Sequence, residues 1–258
     1  MSVKSVSEHY GVNRLVGAVV GLELEVEGDR LPDHIDGWNT VRDGSLRDGK
    51  EYVLVDPSGA VGVKGYLANV KEAFEANRTQ PEYTFRTSTH CHVNVSNLTL
   101  EQTKTIVLLY YMFERQYTEF CAKHRVGNRF CLRLRDAEVI VIQLREFILD
   151  NRLPNNDSGK YCALNIVPLG RQGTLEFRTL EGTDDWERIH LWVRAMIRLR
   201  KIGKDLGSID ALYKASISDL GGLLFGSPKL SSAFLKNGWE KDVEYQKSLM
   251  LELFHLKA

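Results

Sequence analysis

Acidic and apolar residues alternate along Gly21-Leu22-Glu23-Leu24-Glu25-Val26-Glu27, which is the two-residue period of a β-strand with one greasy face and one carboxylate face. Side chains two apart on a strand share a face, so Glu23, Glu25 and Glu27 project together, and water or cations must relieve their repulsion. For this run alone, a solvated edge strand and a cation site are both open readings. Three later segments repeat the design. In Thr89-His90-Cys91-His92-Val93-Asn94-Val95-Ser96, His90, His92 and Asn94 share one side and Cys91, Val93 and Val95 the other. In Gly173-Thr174-Leu175-Glu176-Phe177-Arg178-Thr179, Glu176 and Arg178 face away from Leu175 and Phe177. A looser third case, Lys50-Glu51-Tyr52-Val53-Leu54-Val55, has Glu51 at its head.

Hard divalent cations such as Mg²⁺ or Mn²⁺ prefer carboxylate oxygen, and their sites leave positions for water and substrate phosphates. Glu23, Glu25, Glu51 and Glu176, brought together from neighbouring strands, would supply that donor set, with His92 as a nitrogen ligand beside them. His90 is either a further ligand or a structural histidine bonded to a neighbouring strand. Arg178, on the face of Glu176, is either a planar cation for phosphate oxygens or the partner of Glu176 in an ion pair. Carboxylates combined with one arginine suit phosphoryl transfer from a nucleotide. The chain has no GxxxxGK[ST] loop, no GxGxxG after a strand, no HExxH and no GxSxG, which excludes P-loop, Rossmann, zincin and α/β-hydrolase readings. Nucleotide binding would have to be led by metals.

The elements that must position these residues are legible in outline. Strands are predicted over 15–27, 37–41, 51–55, 83–95, 161–167 and 174–180, the last two joined by the turn 168–173. Val63, Leu67, Val70 and Phe74 give helical spacing over 62–77, and Thr99 with Gln102 forms a capping box for a helix reaching about residue 123. Further helices are expected over 136–150 and 184–206, followed by a helical tail broken at Gly221-Gly222 and at Gly226-Ser227-Pro228. The loop 151–158 precedes Lys160 and is a candidate lid. Strands with an apolar face below and a charged face above predict an α+β domain, its antiparallel sheet offering a polar cleft and packing on helices beneath.

The chain has 258 residues, 43% of them hydrophobic, enough for a full core, and is read as one domain over 1–258 with its core in 15–206 and a helical C-terminal region in 207–258. Net charge is zero and the pI is ≈ 7.1, so nothing electrostatic draws it to nucleic acid or an anionic membrane. The cationic cluster 194–204 is read as a solvated helix face. No run approaches the ~18 apolar residues that span a bilayer, and Met1-Ser2-Val3-Lys4-Ser5 lacks a signal-peptide core, so a cytoplasmic protein is expected. Cys91, Cys121, Cys131 and Cys162 form no CxxC pair and are read as reduced, mostly buried thiols.

The ordered series of motifs resembles the amidoligases, carboxylate–amine ligases related to glutamate-cysteine ligase and glutamine synthetase. Gly21-Leu22-Glu23-Leu24-Glu25 is similar to that family's GxExE strand, and Asp43-Gly44-Ser45-Leu46 to its DxS turn. Glu51-Tyr52-Val53 followed by Asp56-Pro57 resembles the E(I/L)V-S-P strand, with Asp56 where serine is common. His92-Val93-Asn94 resembles the HxH or HxN strand, Tyr161 to Asn165 the Y-x-x-x-N strand, and Thr174-Leu175-Glu176-Phe177-Arg178 the ExR strand. The series runs from 21 to 178, and the C-terminal region is covered only loosely.

The resemblance implies a curved antiparallel sheet of glutamine synthetase type, with helices on its convex face and ATP and Mg²⁺ (or Mn²⁺) on the concave one. It implies an ATP-dependent carbon–nitrogen ligase that phosphorylates a carboxylate and lets an amine attack the acyl phosphate. Members of the family occur in phage and bacterial settings. The implied substrates are a small amino acid, peptide or protein carboxylate and an amine donor. Arg178 would steady the transferred group, Asp43 would bind or deprotonate the amine, and Arg86 and Lys160 would anchor phosphate or substrate carboxylate. A kinase-like relative, and a structural protein that keeps the fold without the chemistry, are the alternatives.

Overall fold

The structure, a computed structural model, describes residues 4–154 and 160–254. Among these, β1 (Val20–Asp29), β2 (Trp38–Val41), β3 (Gly49–Leu54), β4 (Gln80–Glu82), β5 (Thr89–Asn94), β6 (Leu164–Asn165) and β7 (Thr174–Phe177) form one antiparallel sheet. Its order is β2-β3-β1-β5-β7-β6, and β4 pairs with the end of β1. The described α-helices are α1 (Val6–Tyr10), α2 (Ala60–Asn77), α3 (Leu100–Phe120), α4 (Glu138–Asp150), α5 (Trp186–Leu206), α6 (Ile209–Lys214), α7 (Ile217–Phe225), α8 (Pro228–Phe234) and α9 (Trp239–Leu253).

Alternation along the strands divides the sheet into two faces. Leu22, Leu24 and Val26 of β1, Tyr52 and Leu54 of β3, Cys91 and Val93 of β5, and Leu175 and Phe177 of β7 are buried. Each such side chain contributes on the order of 1.5–3 kcal/mol on leaving water. They are covered by α2, whose Phe74 ring lies 6.0 Å from that of Tyr52, by α3, whose Tyr110 meets Phe177 edge-on at 5.2 Å, and by α5, which packs on β5. The α3 start is the expected capping box: the Thr99 hydroxyl accepts the Gln102 N–H at 3.1 Å, and Gln102 Oε1 accepts the Thr99 N–H at 3.0 Å.

Several boundaries differ from the sequence reading for local reasons. The predicted strand 83–95 contracts to β5, on the edge of β1 at Val20 to Leu24; residues 83–88 loop out, and the short β4 that precedes them takes the same edge at Glu27 to Asp29. The expected strand 161–167 contracts to Leu164–Asn165, followed by a 3₁₀ turn at Val167–Gly170. The candidate lid falls largely on residues 155–159, outside the described residues. Arg200, expected on a solvated face, is buried and donates to the Asn94 carbonyl and, at 2.8 Å, to Asn97 Oδ1. The four cysteines are free and buried, and no helix among the described residues is long and apolar enough to cross a membrane.

The expected break at Gly221-Gly222 is absent, because α7 runs through both residues. A β-carbon at Gly221 would overlap the Trp239 ring of α9, so this glycine serves close helix packing. Gly221→Ala should therefore cost about 1–2 kcal/mol despite alanine's better helix propensity, since overpacking outweighs the gain. An unchanged urea midpoint would refute this.

Glu114 sits on α3 with its carboxyl fully buried, accepting the Leu134 N–H at 2.7 Å through Oε1 while Oε2 has no partner. Burial pushes its pKa from the ordinary 4.5 up to about 8, against the backbone hydrogen bond and Arg135 and Arg133. An acid raised on folding keeps the native state more protonated than the unfolded chain. Its stabilisation is whole below pH 4.5 and is lost as pH climbs through about 8. Glu114→Gln should remove a stability slope of about 1.4 kcal/mol per pH unit across that window. Urea unfolding of both proteins at pH 5.5 and 8 measures it, and parallel slopes would count against it.

Candidate active site

Strand register assembles the polar face. Glu25 pairs with Glu51, Glu23 with His90, and His92 with both Gly21 and Glu176, which in turn pairs with Asn165. Chemistry-bearing side chains from β1, β3, β5 and β7 thus form one continuous row above the buried layer.

At its centre, Glu23, His92 and Glu176 each offer a ligand atom, all within 4.8 Å of one another. Glu23 Oε1 lies 3.2 Å from His92 Nε2 without hydrogen-bond geometry, and that buried nitrogen has no hydrogen-bond partner. The other ring nitrogen, Nδ1, is 3.2 Å from the Thr174 hydroxyl. A hydrogen-bond partner on one ring nitrogen, with the other nitrogen buried and facing carboxylates, is how ligating histidines are held. One imidazole and two carboxylates in a mostly buried position fit a divalent cation.

His90 is tied to side chains rather than to neighbouring backbone. Its Nδ1 is 3.1 Å from Glu23 Oε2 and 3.5 Å from Glu176 Oε1, and its Nε2 is 2.7 Å from the Ser88 hydroxyl, which donates to Glu25. Glu176 also accepts from Asn165 Nδ2 at 2.6 Å and pairs with Arg178. The Arg178–Glu176 ion pair of the sequence reading is therefore present, and it leaves the buried Arg178 Nε without a partner.

Burial pushes the carboxyl pKa values of Glu23, Glu25, Glu51 and Glu176 upward, and the neighbours decide the balance. Glu23 ends well below the ordinary range because the His90 hydrogen bond and the close approach and charge of both His90 and His92 overcome burial. Glu176 is also lowered, by His92, Arg178 and His90. Glu25 ends raised, since His90, Ser88 and Arg178 only partly offset burial and Asp43 adds to it. Glu51 is pushed up to about 8 by burial and then by the charges of Glu23, Glu25 and Asp43. For His92, burial is outweighed by the close approach and negative charge of Glu23 and by the charge of Glu176, so its pKa rises. Carboxyls crowded until some hold protons are carboxyls that a cation can bridge.

Two clefts meet at Glu23. A polar one of ≈ 210 Å³ is lined by Glu23, Glu25, Asp43, Glu51, Arg86, Ser88, Lys160 and Arg178, so seven of the nine residues singled out from the sequence share one cavity. The other two, His92 and Glu176, adjoin it through Glu23. The second cleft, ≈ 240 Å³, is walled by Leu15, Val19, Leu22, Val53 and Pro57, with His92 at its edge. The largest described cavity, ≈ 730 Å³, lies among α3, α5 and α8 and contains none of these groups.

Some supports were not singled out from the sequence. Glu27 shares the carboxylate face yet is consumed by structure: it accepts the Arg47 N–H and the Thr84 hydroxyl, both at 2.8 Å, which fastens the loops carrying Asp43 and Arg86. Asp43 Oδ1 accepts the Ser45 N–H at 2.6 Å, and Arg86 Nη1 donates to the Ser45 carbonyl at 2.8 Å. Arg125, nearly inaccessible, donates to the carbonyls of Arg178 and Thr179 at 2.7 and 3.0 Å and fixes the backbone under the Arg178 side chain. Asn94, on the strand face of His90 and His92, spends its amide on the Leu15 and Gly17 carbonyls and its Oδ1 on Ser96. Ser88 carried a signal, being two residues before His90 on the same face; Arg125 carried none, because its burial comes from tertiary packing.

Comparison with protein-family models gives no match, and a comparison with curated proteins finds no significant one.

Proposed function

We propose that the protein is a cytoplasmic carboxylate–amine ligase dependent on ATP and Mg²⁺ (or Mn²⁺), with a glutamine synthetase-type sheet. The observation that carries this reading is the meeting of Glu23, His92 and Glu176 within 4.8 Å beside Arg178, in a cleft that also holds Glu25, Glu51 and Asp43. Glu23, His92 and Glu176 would hold one cation, and Glu25 and Glu51 would hold another. The bound ions would supply charge neutralisation for the ATP phosphates.

The protein's residues supply the rest. The apolar cleft walled by Leu22 and Val53 takes the base, and the guanidinium of Arg178, which lines the polar cleft, takes a phosphoryl oxygen. In the first step a substrate carboxylate oxygen attacks the γ-phosphorus and the bond to the β,γ-bridging oxygen breaks, giving an acyl phosphate and ADP. In the second, an amine attacks the acyl carbon, inorganic phosphate leaves, and the amine's proton passes to a base. Asp43, held by the Ser45 N–H at the rim, is that base. Arg86, whose buried Nε is unpartnered, and Lys160 anchor the substrate carboxylate.

The test is ADP release with Mg²⁺ and a panel of carboxylates and amines. A ligase releases ADP in proportion to amide and only when both partners are present. ADP release with the carboxylate alone, or a phosphorylated product that persists, would favour the kinase-like alternative and overturn the amide step.

A further inference from the structure

The polar cleft encloses ≈ 210 Å³, less than the ~300 Å³ at which pockets begin to hold a whole drug-sized ligand. A molecule that delivers its carboxylate there leaves its remaining bulk on the rim, and the rim is chemically unlike the cleft.

Phe85 stacks on Phe130 with ring centres 6.5 Å apart, and Phe130 meets Tyr161 edge-on at 6.0 Å. Each ring has a cation over its face: Arg86 over Phe85 at 5.2 Å, Arg129 over Phe130 at 4.9 Å and Lys160 over Tyr161 at 5.1 Å. Phe85 is 47% and Tyr161 43% exposed. The rings come from three separate stretches of chain, and hydrogen bonds hold those stretches together. Asn128 donates to the Phe85 carbonyl and accepts the Phe130 N–H, both at 2.9 Å, and the Leu132 N–H donates to the Tyr161 carbonyl at 3.0 Å. Phe130, Tyr161, Arg86 and Lys160 also line the cleft, so rim and cleft are continuous. Adjacent exposed rings fixed in this way mark an interaction surface.

We infer that this rim docks a peptide in which aromatic and acidic residues flank the carboxylate that enters the cleft. Aromatic side chains stack on Phe85 and Tyr161, and acidic ones meet Arg129. A free amino acid has nothing to lay on the rings. A nucleic-acid strand would match the rim, but its successive phosphates would run on toward Glu23, Glu25, Asp43 and Glu51, whereas a peptide carries a single carboxylate into the cleft, where Arg86, Lys160 and Arg178 can meet it, and keeps its other charges on the rim. That the docked carboxylate is the ligase acceptor rests on the reading above; the dock itself does not.

The experiment uses the full chain, in EDTA and without ATP, and measures binding of a pooled set of acetylated, amidated pentapeptides centred on glutamate. Peptides with aromatic and acidic flanks should bind at least about 10-fold more tightly than glycine-flanked ones. Phe85→Ala and Tyr161→Ala should erase that preference at unchanged Tm, and Arg129→Glu should erase its acidic component. All three should leave Mn²⁺ binding intact. A flat peptide profile, a preference the variants do not alter, or a single-stranded oligouridine that binds as tightly as the best peptide would overturn the inference. Peptide docking without ADP release from ATP, Mg²⁺, the peptide and any amine would support the dock and overturn only the ligase reading.

Discussion

Glu23→Gln should abolish Mg²⁺-dependent ATP turnover and weaken Mn²⁺ binding by at least about 100-fold, more than the loss typical of a second-shell change. Glu23 lies between both histidines and at the junction of both clefts. Removing its charge also removes the anion that holds His90 and His92 in register. The fold should survive, because Glu23 is not part of the buried layer and its loss relieves repulsion with Glu51. Calorimetric Mn²⁺ titration alongside thermal unfolding separates the outcomes. Wild-type Mn²⁺ affinity in the variant would remove the cluster from the account, and collapse of the fold would show that Glu23 is structural.

Arg178→Lys should lower kcat by about 10²- to 10³-fold, or about 3–4 kcal/mol of transition-state stabilisation, with little change in KM for ATP. Lysine keeps the charge and can pair with Glu176, but it loses the fork whose second arm, Nε, is buried and unpartnered. Arg125 fixes the Arg178 backbone from below, so the substitution changes the head group without moving its origin. Equal losses in kcat and in ATP affinity would assign Arg178 to ground-state binding.

What the sequence made legible follows from period. Two-residue alternation puts Glu23 with Glu25, His90 with His92 and Glu176 with Arg178 on one face of their own segments, and the ladder Glu25–Glu51, Glu23–His90, His92–Glu176 joins those faces into one. The Thr99 capping box was equally readable, since its partners are three residues apart. Alternation identifies a face but not what each group on it does. Glu27 looks like Glu25 in the sequence, yet it is spent on Arg47 and Thr84. Asn94 shares the strand face of His90 and His92 and clamps the segment before β1. Arg200 reads as surface charge and is buried because the Asn94 carbonyl accepts from it, and Arg125, which no local pattern marks, is buried under the Thr179 carbonyl in the same way. The Gly221-Gly222 break was misjudged for the same reason, the Trp239 ring of α9 being invisible to a local reading of α7.

The central claim is that Glu23, His92 and Glu176 hold a divalent cation for a nucleotide. Crystals grown with Mn²⁺ and a non-hydrolysable ATP analogue test it through anomalous scattering. The account predicts a manganese peak within about 2.0–2.3 Å of an oxygen from each glutamate and of His92 Nε2, with the analogue's phosphates beside it. Manganese bound elsewhere, or a nucleotide ordered away from these three residues, would contradict it.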